Sequence, residues 1–170
     1  MSGATGAVPG GPRASRARAL RKSAPIVGIA RAITDHMKAI PTIQRYMTAA
    51  PHTIGNDQPL TKAHEIMREH GIRHLPVMHG NRLVGVISDR DVAIITSLED
   101  VNPTLITVED AMTSDVLTVG PDTPLDEVAT LMAERKAGSV VVEQNHKVVG
   151  IFTTVDGMTA LADLLHTRLR

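Results

Sequence analysis

An internal repeat constrains the fold of this chain more than any other feature of its sequence. Residues 43–91 align without a gap with residues 108–156, and 13 of the 49 aligned pairs are identical. Unrelated sequences of ordinary composition would share roughly three such pairs. The repeat predicts two copies of one structural unit that pack against each other, because one copy alone cannot bury both of its faces.

The pattern within each copy predicts the order β-α-β-β-α. The expected elements are strands at 53–54, 75–78, 83–87, 116–119, 140–143 and 148–152, and helices that begin after Pro59, Ser88, Pro124 and Thr153. The last helix is expected to carry an apolar stripe of Val155, Met158, Leu161, Leu165 and Leu169. We therefore expect an α/β (α+β) fold in which two three-stranded sheets, each with helices on one face, pack sheet to sheet.

The first 40 residues differ from the rest in charge. Seven Lys or Arg and one acid give residues 1–40 a charge of +6, whereas eleven bases and seventeen acids give residues 41–170 a charge of −6. Residues 1–24 are expected to form a disordered basic tail, with an organellar transit peptide as the alternative. Residues 25–40 predict a helical extension that packs on the body or a second copy, or lies on a membrane surface. Residues 41–103 and 104–170 then contain the two repeats.

Composition argues against several classes of function. The chain has no cysteine, which excludes disulfides, thiolate metal sites and cysteine nucleophiles. No stretch approaches the ~20 apolar residues of a membrane span, and no secretory signal is visible. Tyr46 and Phe152 are the only aromatic residues, which is too few for single-stranded nucleic acid to stack on. We expect a soluble, cytoplasmic protein without a membrane partner, for which nucleic acid is not the main ligand.

Two matching patterns mark the start of the second helix in each copy. Ser88-x-x-Asp91 and Thr153-x-x-Asp156 each begin three positions after a glycine. Both fit a capping box, which needs only backbone amides as partners. Both also fit a nucleotide site, because a helix start presents amide groups and partial positive charge to phosphate, and a first-turn carboxylate can accept hydrogen bonds from a ribose diol.

Longer strings resemble the CBS (cystathionine-β-synthase) domain. Residues 71–77 read Gly-Ile-Arg-His-Leu-Pro-Val, residues 83–91 read Leu-Val-Gly-Val-Ile-Ser-Asp-Arg-Asp, and residues 45–48 read Arg-Tyr-Met-Thr. In the second copy, Val-Gly-Ile-Phe-Thr-Thr-Val-Asp at 149–156 fits, whereas Ser-Val-Val-Val at 139–142 departs from the expected Leu-Pro-Val. The resemblance covers about residues 41–165. It implies a CBS pair, or Bateman module, with pseudo-two-fold symmetry that often forms a homodimer.

The resemblance further implies two clefts that bind an adenosine-containing small molecule, such as AMP, ADP, ATP, S-adenosylmethionine or NAD. The residues that it assigns are Ser88 and Thr153 against phosphate, Asp91 and Asp156 on the ribose hydroxyls, Thr53 and Thr118 beside the nucleoside, and Arg73, His74, Leu75, Pro76, Gly138 and Ser139 along the cleft borders. Arg73 adds a cation beside the first cleft, where it would meet phosphate, and His74 lies nearby. The first cleft is therefore expected to be the stronger site.

No constellation for catalysis accompanies these motifs. The sequence lacks a nucleophile elbow, a P-loop and an HExxH motif. Four histidines cluster in sequence without the spacing of metal ligands: His64, His70, His74 and His79. We therefore expect a protein that is not an enzyme, requires no cofactor and binds no metal.

Three functions fit the sequence. The leading hypothesis is a regulatory adenine-nucleotide sensor, in which ligand changes the conformation or dimer packing and a regulated protein responds to that change. The alternative is a ligand-free protein-interaction scaffold built on the same two units, which the weaker second motif favours. The third is nucleic-acid binding through the basic tail, which the +6 charge of residues 1–40 favours.

Overall fold

Both repeats fold as β-α-β-β-α units. The computed structural model describes residues 40–168. After a 3-10 turn at Ile43–Arg45, the first repeat contains β1 (Thr48–Ala49), β2 (Ile54–Gly55), α1 (Leu60–His70), β3 (His74–His79), β4 (Arg82–Ser88) and α2 (Asp89–Thr96). The second contains α3 (Val108–Ala111), β5 (Thr118–Val119), α4 (Leu125–Arg135), β6 (Ser139–Gln144), β7 (Lys147–Thr153) and α5 (Thr154–Arg168). The basic tail and the helical extension up to residue 39 lie outside the described residues, so the expectations for them stay predictions.

The strands form two sheets with the same internal order. In the first sheet, β2 pairs in parallel with β3, and β3 pairs antiparallel with β4. In the second sheet, β5, β6 and β7 repeat this arrangement, and β1 adds a fourth strand beside β7. The fourth strand was not predicted, because two residues are too few to leave a periodic pattern in the sequence.

The first helix of each repeat begins in the same way and ends differently. Pro59 and Pro124 stand at the N-caps of α1 and α4, where proline fits because the first amides of a helix have no intrahelical partner. At the C-terminal ends, Gly71 has a φ of 64° and Lys136 a φ of 52°. Glycine adopts this left-handed region without strain, whereas lysine does not. The second repeat therefore contains a strained turn that the first lacks.

The opening segment of each repeat pairs with the sheet of the other repeat. Thr48 in β1 lies opposite Ile151 in β7, and at the equivalent position of the second repeat Thr113 bridges to Val86 in β4. Equivalent backbone hydrogen bonds cross the boundary from Leu60 N to Ile106 O (2.8 Å) and Leu125 N to Pro41 O (2.9 Å), and from Val108 N to Gln58 O (2.9 Å) and Ile43 N to Thr123 O (2.9 Å). Because the same contacts run in both directions, the two repeats are related by pseudo-two-fold symmetry.

Each core between sheet and helices includes one fully buried side chain from the opposite repeat. The first core contains Leu75 of β3 and also Val108, which belongs to the second repeat. The second core contains Phe152 of β7 and also Ile43, which belongs to the first repeat. Ile43 and Val108 occupy equivalent positions and are both 0% exposed. Burying a side chain of this size contributes about 1.5–3 kcal/mol, so the exchange stabilises the pair rather than either repeat alone.

In each sheet, the strand that lies between a parallel and an antiparallel neighbour, β3 or β6, is buried on both faces. In β3, Leu75 and Val77 point into the core beneath the helices, and Pro76 between them points to the opposite face and is also buried. In β6, Val141 takes the place of Pro76 and is 0% exposed without joining the core beneath the helices. The last strands of the two sheets, β4 and β7, are in contact. The predicted packing of sheet against sheet is thus confirmed.

The apolar stripe predicted on the last helix faces away from the core. Val155, Met158, Leu161 and Leu165 of α5 are 53%, 64%, 48% and 48% exposed. A Cβ atom on Gly157 would lie 3.8 Å from Phe152 Cζ. The Phe152 ring fills the space beneath this part of the helix, and Ala160 and Leu164 of α5 pack against the second core. Leu169 lies outside the described residues.

Candidate ligand-binding site

The start of α2 holds Ser88 and Asp91 in a closed capping box. Asp91 Oδ2 accepts hydrogen bonds from the Ser88 amide at 2.8 Å and from the Ser88 hydroxyl at 2.6 Å. The Asp91 amide donates to Ser88 Oγ at 3.3 Å. Among the hydrogen bonds within residues 40–168, Asp91 Oδ1 takes no part. This second carboxylate oxygen is the one that a ligand hydroxyl could reach.

The start of α5 repeats this arrangement in the second repeat. Asp156 Oδ2 accepts from the Thr153 amide and the Thr153 hydroxyl, both at 2.8 Å. The Asp156 amide lies 3.5 Å from Thr153 Oγ1. The two patterns found in the sequence therefore adopt one geometry at equivalent positions.

A third capping box shows that this geometry does not by itself mark a ligand site. At the start of α3, Asp110 Oδ2 accepts from the Thr107 amide at 2.9 Å and the Thr107 hydroxyl at 2.7 Å. The hydroxyl and then the amide hydrogen bond lower the pKa of the Asp110 carboxyl, because they favour its charged form. Thr107-x-x-Asp110 has the same spacing in the sequence, but this box was not predicted.

Most amide groups at the two predicted phosphate sites already have partners. The Asp89 amide donates to Arg73 O at 2.9 Å, and the Thr154 amide donates to Gly138 O at 3.2 Å. The capping boxes engage further amides and the Ser88 hydroxyl, so the free amides that the sequence predicts are largely absent from these two helix starts. The reason is that the protein supplies its own acceptors for these donors, namely the carbonyl oxygens of Arg73 and Gly138, the hydroxyl oxygens of Ser88 and Thr153, and the capping carboxylates. A phosphate would therefore need donors from side chains, or Ser88 and Thr153 would have to release their aspartates.

The starts of β3 and β6 lie beside these helix starts. His74 is in register with Ser88, and Ser139 is in register with Thr153. The structure thus gathers the predicted residues into two equivalent groups, namely Arg73, His74, Ser88 and Asp91 in the first repeat and Gly138, Ser139, Thr153 and Asp156 in the second.

His74 also reaches the second repeat. A Cβ atom on Gly138 would lie 3.2 Å from His74 Nε2, so two residues that the sequence analysis placed at separate clefts are neighbours. Burial lowers the pKa of His74 from its ordinary value of 6.5, and Arg73 lowers it further, whereas Asp91 and Asp89 raise it. At neutral pH the side chain is therefore mainly uncharged, and Arg73 is the cation of this group.

Leu75 and Pro76 are placed less favourably for ligand contact. The Leu75 side chain is 0% exposed and lies in the core beneath the helices, so only its backbone is left to border a cleft. Pro76 is buried on the face of β3 between the two sheets. Its ring could form an apolar wall there.

A polar cavity of about 860 Å³ lies at the hairpin end of the first sheet. His79 Nδ1 lies 3.1 Å from Asn56 Oδ1, and Asn56 Nδ2 donates to Glu109 Oε2 at 3.0 Å. These three residues line the cavity together with Lys147 of the second repeat. The hydrogen-bonded chain joins the repeats at a place that the sequence analysis did not identify, because it depends on a contact between distant segments.

Thr53 lines this polar cavity, whereas Ser88 and Asp91 do not. Its equivalent, Thr118, is exposed at the start of β5. Contact between either threonine and a nucleoside stays a prediction.

An apolar groove of about 740 Å³ lies between α4 and α5. Its walls include Met132 of α4 and the exposed Met158, Leu161 and Leu165 of α5. Contiguous exposed apolar surface of this kind marks interaction sites more often than it marks plain surface. The signal was present in the sequence as the stripe of the last helix, but its outward direction was not.

Within residues 40–168 no group of three His, Asp or Glu side chains is arranged to hold a metal ion. His70 instead stacks on His52, with ring centroids 3.8 Å apart. In the same part of the chain no helix combines the length and the apolar character that a membrane crossing requires.

The family to which these features point is confirmed by comparison. The family model of the CBS domain matches residues 43–95 and residues 108–163, which are the two repeats. The chain belongs to the CBS domain family and contains a CBS pair.

Several known proteins are similar to this chain. Inosine-5′-monophosphate dehydrogenase of Korarchaeum cryptofilum is 33% identical over 120 residues, which cover 70% of this chain and 24% of that enzyme. Hypoxic response protein 1 of Mycobacterium tuberculosis is 30% identical over 116 residues, which cover 68% of this chain and 81% of that protein. The solved CBS domain pair of protein MJ0100, in complex with 5′-methylthioadenosine and S-adenosyl-L-methionine, matches with a TM-score of 0.67 and 29% identity over 73% of this chain and 98% of that one. The chain thus spans about a quarter of the dehydrogenase.

Proposed function

We propose that this chain is a regulatory module that binds AMP, ADP, ATP or a related adenosyl compound, S-adenosylmethionine and NAD included, between its two repeats. The observation that carries the proposal is the pair of equivalent carboxylates, Asp91 and Asp156, each fixed through Oδ2 with Oδ1 available. A fixed carboxylate oxygen suits a ribose diol, because the acceptor needs no reorganisation on binding. Membership of the CBS family and the adenosyl ligands of the MJ0100 pair support the same conclusion.

The remaining roles follow from charge and burial. Arg73 is the cation placed to meet a phosphate of the first ligand. Gly138 and Ser139 offer backbone groups and a hydroxyl at the equivalent place in the second repeat, so a ligand there would depend less on phosphate. Pro76 and Val141, buried between the sheets, could provide apolar walls for adenine.

Ligand would act as a signal through the exchanged segments. Because each core includes a side chain from the other repeat, a ligand that bridges the repeats changes the relative stability of their arrangements. It can do so only by binding one arrangement more tightly than the other. The module has no catalytic role in this proposal and requires no cofactor, and the response is read by a regulated protein. A cytoplasmic location is part of the proposal, since a chain without cysteine fits a reducing compartment.

Calorimetric titration with AMP, ADP, ATP, S-adenosylmethionine and NAD tests the proposal. Asp91→Asn and Asp156→Asn should each weaken binding at one site by about 10- to 100-fold, because a hydrogen bond to a charged acceptor is worth about 1.5–3 kcal/mol. Asp110→Asn is the matched control, since it removes an equivalent carboxylate from a capping box with no strand start beside it. All three variants should lose similar stability, and only the first two should lose affinity.

Two results would contradict the proposal. The first is the absence of heat and of thermal stabilisation with all five compounds. The second is an equal effect of all three substitutions on affinity, which would trace the effect to the caps rather than to ligand contact.

We also infer that the chain forms a homodimer, because the groove between α4 and α5 is exposed and apolar. A homodimer is equally compatible with the alternative function, a ligand-free scaffold. A second copy related by a two-fold axis would present the same apolar stripe, so each copy could cover the other. In sedimentation velocity experiments, Met158→Asp should lower the sedimentation coefficient to that of a monomer. Ala162→Asp lies on the same helix outside the groove and should leave the coefficient unchanged. The scaffold function would be supported over the sensor function by two results together. The unmodified chain would bind none of the five compounds, and the double variant Asp91→Ala/Asp156→Ala would dimerise and bind its partner as the unmodified chain does.

A further inference from the structure

His74 occupies the junction of the two repeats. It begins β3 in register with Ser88 at the start of α2. On its other side, its Nε2 atom is 3.2 Å from the position that a Cβ on Gly138 would take. The imidazole is half-buried and lies between the helix start of one repeat and the strand start of the other. A change in the charge of His74 therefore alters the electrostatic environment of both the start of α2 and the start of β6.

The surroundings of His74 contain charges of both signs. The groups that act on it are Arg73, which immediately precedes its own strand, and Asp91 and Asp89 from the first turn of α2. The second repeat faces it with Gly138, which carries no charge. Burial and Arg73 lower the pKa of His74, whereas the two aspartates raise it. In the absence of ligand the first two effects prevail, and the neutral form is favoured.

A phosphate arriving at this place would find few other donors. The Asp89 amide is engaged with Arg73 O at 2.9 Å, and the Ser88 amide and hydroxyl are engaged with Asp91. Arg73 and His74 are the side chains of this group that can supply positive charge. At the position equivalent to His74, the second repeat has Ser139, which cannot.

We propose that His74 makes the first site selective for adenosyl ligands that carry phosphate, by taking up a proton when the phosphate binds. The inference rests on the proposed function and specifies the regulation of that site. A phosphate beside the imidazole favours its charged form, since an opposite charge nearby stabilises an ion. An adenosyl ligand without phosphate offers no such gain. Binding and protonation are then coupled, and each strengthens the other.

The coupling has a defined sign. When pH falls through the range in which His74 titrates, the affinity for a phosphate ligand rises, by up to about tenfold per pH unit for one proton. The affinity for a ligand without phosphate stays constant. A fall in cytoplasmic pH would thus load the first site with nucleotide without any change in nucleotide concentration.

Calorimetry with AMP and with 5′-methylthioadenosine, between about pH 5.5 and about pH 8, tests this inference. The proteins are the full chain, His74→Gln and, as the control, His166→Gln, which alters an exposed histidine of α5. Because the AMP phosphate itself titrates near pH 6, the reading is the difference between the full chain and His74→Gln at each pH. Titration in two buffers of different ionisation enthalpy counts the protons taken up.

The expected result is proton uptake with AMP that His74→Gln abolishes and His166→Gln preserves, with no such uptake for 5′-methylthioadenosine. Retained binding of 5′-methylthioadenosine by His74→Gln would show that this variant is folded. If AMP binds with the same pH profile in the full chain and in His74→Gln, the inference is overturned and the proposed function stands. If neither compound binds at any pH, both fail.

Discussion

The two strand starts share a backbone arrangement and differ in charge. Asp89 N donates to Arg73 O at 2.9 Å in the first repeat, and Thr154 N donates to Gly138 O at 3.2 Å at the equivalent place in the second. Around these bonds the first repeat places Arg, His and Asp, whereas the second places Gly, Ser and Thr. The comparison teaches that backbone pairing and the exchanged core side chains preserve the fold, so that side chains at the repeat junction can diverge. The two repeats are therefore equivalent in backbone arrangement at this place and differ in the charge of their candidate ligand sites.

The largest expected effect tests the symmetry of the structure. A Cβ on Gly85 would lie 2.9 Å from Met112 Cγ and 3.1 Å from the Thr113 carbonyl oxygen. The three atoms nearest to a Cβ on Gly150 all belong to the Met47 side chain, namely Sδ, Cγ at 3.0 Å and Cε at 3.1 Å. A flexible side chain can move more easily than a paired strand. Gly85→Ala should therefore cost about 2–3 kcal/mol in urea unfolding, and Gly150→Ala about 1–2 kcal/mol.

A second substitution separates the two causes. Met47→Ala in the Gly150→Ala background should remove most of the overpacking, whereas Met112→Ala in the Gly85→Ala background should remove only part of it. Equal costs for the two glycine substitutions, with equal recovery, would show that the exchanged segments are held less firmly than described.

The next effect tests the difference in charge between the two candidate sites. Arg73→Gly combined with His74→Ser gives the first strand start the residues of the second. AMP affinity should fall by about tenfold or more, because charge-assisted hydrogen bonds to phosphate are lost. Affinity for 5′-methylthioadenosine should stay within about twofold, since no charged contact is involved. Equal loss for both ligands in calorimetry would mean that the substitutions disturb the fold of the site.

A smaller effect compares the helix ends that precede the two strand starts. Lys136→Gly should raise the free energy of unfolding by about 1 kcal/mol, because it relieves a left-handed conformation in a side-chain-bearing residue. Gly71→Ala should lower it by about the same amount, and a Cβ there has nothing within 4 Å, so backbone strain alone is measured. If both variants melt at the same temperature as the unmodified chain, Lys136 is not strained and Gly71 does not relieve strain at its helix end.

The smallest expected effect concerns the stability of the ligand-free protein against pH. The pKa of His74 is lowered in the folded state, chiefly by burial and then by Arg73. Its contribution is therefore present above the unfolded pKa and is lost as pH falls through the folded pKa. Urea unfolding should show stability that declines on acidification, and His74→Gln should reduce the decline. The second repeat has no equivalent effect, because Ser139 stands at the position of His74. An identical dependence of stability on pH in the unmodified chain and in His74→Gln would exclude the effect.

Much of the fold could be predicted from the sequence, because apolar side chains recur in recognisable patterns along the chain. The inward faces of α1 and α4 were recognisable from the spacing of apolar side chains, and β3 and β6 from runs rich in β-branched residues between polar turns. The 65-residue offset between the copies then determined which positions are equivalent. Sheet-to-sheet packing followed from the need to bury the second face of each sheet.

The exchange of opening segments could not be predicted in this way. The pairing of Thr48 with Ile151 joins positions that are far apart in sequence, through a strand of two residues. The contact between His74 and Gly138 and the engaged amides at the helix starts are likewise tertiary features. The chemical types of the candidate site residues were visible in the sequence, but their partners depend on how the repeats meet.

A crystal structure with AMP would test the central claim most directly. The account predicts a nucleotide whose ribose hydroxyls lie within hydrogen-bond distance of Oδ1 of Asp91 or Asp156, with Oδ2 still held by its Ser or Thr. A nucleotide bound instead in the polar cavity beside His79, or an empty junction at saturating AMP, would contradict it.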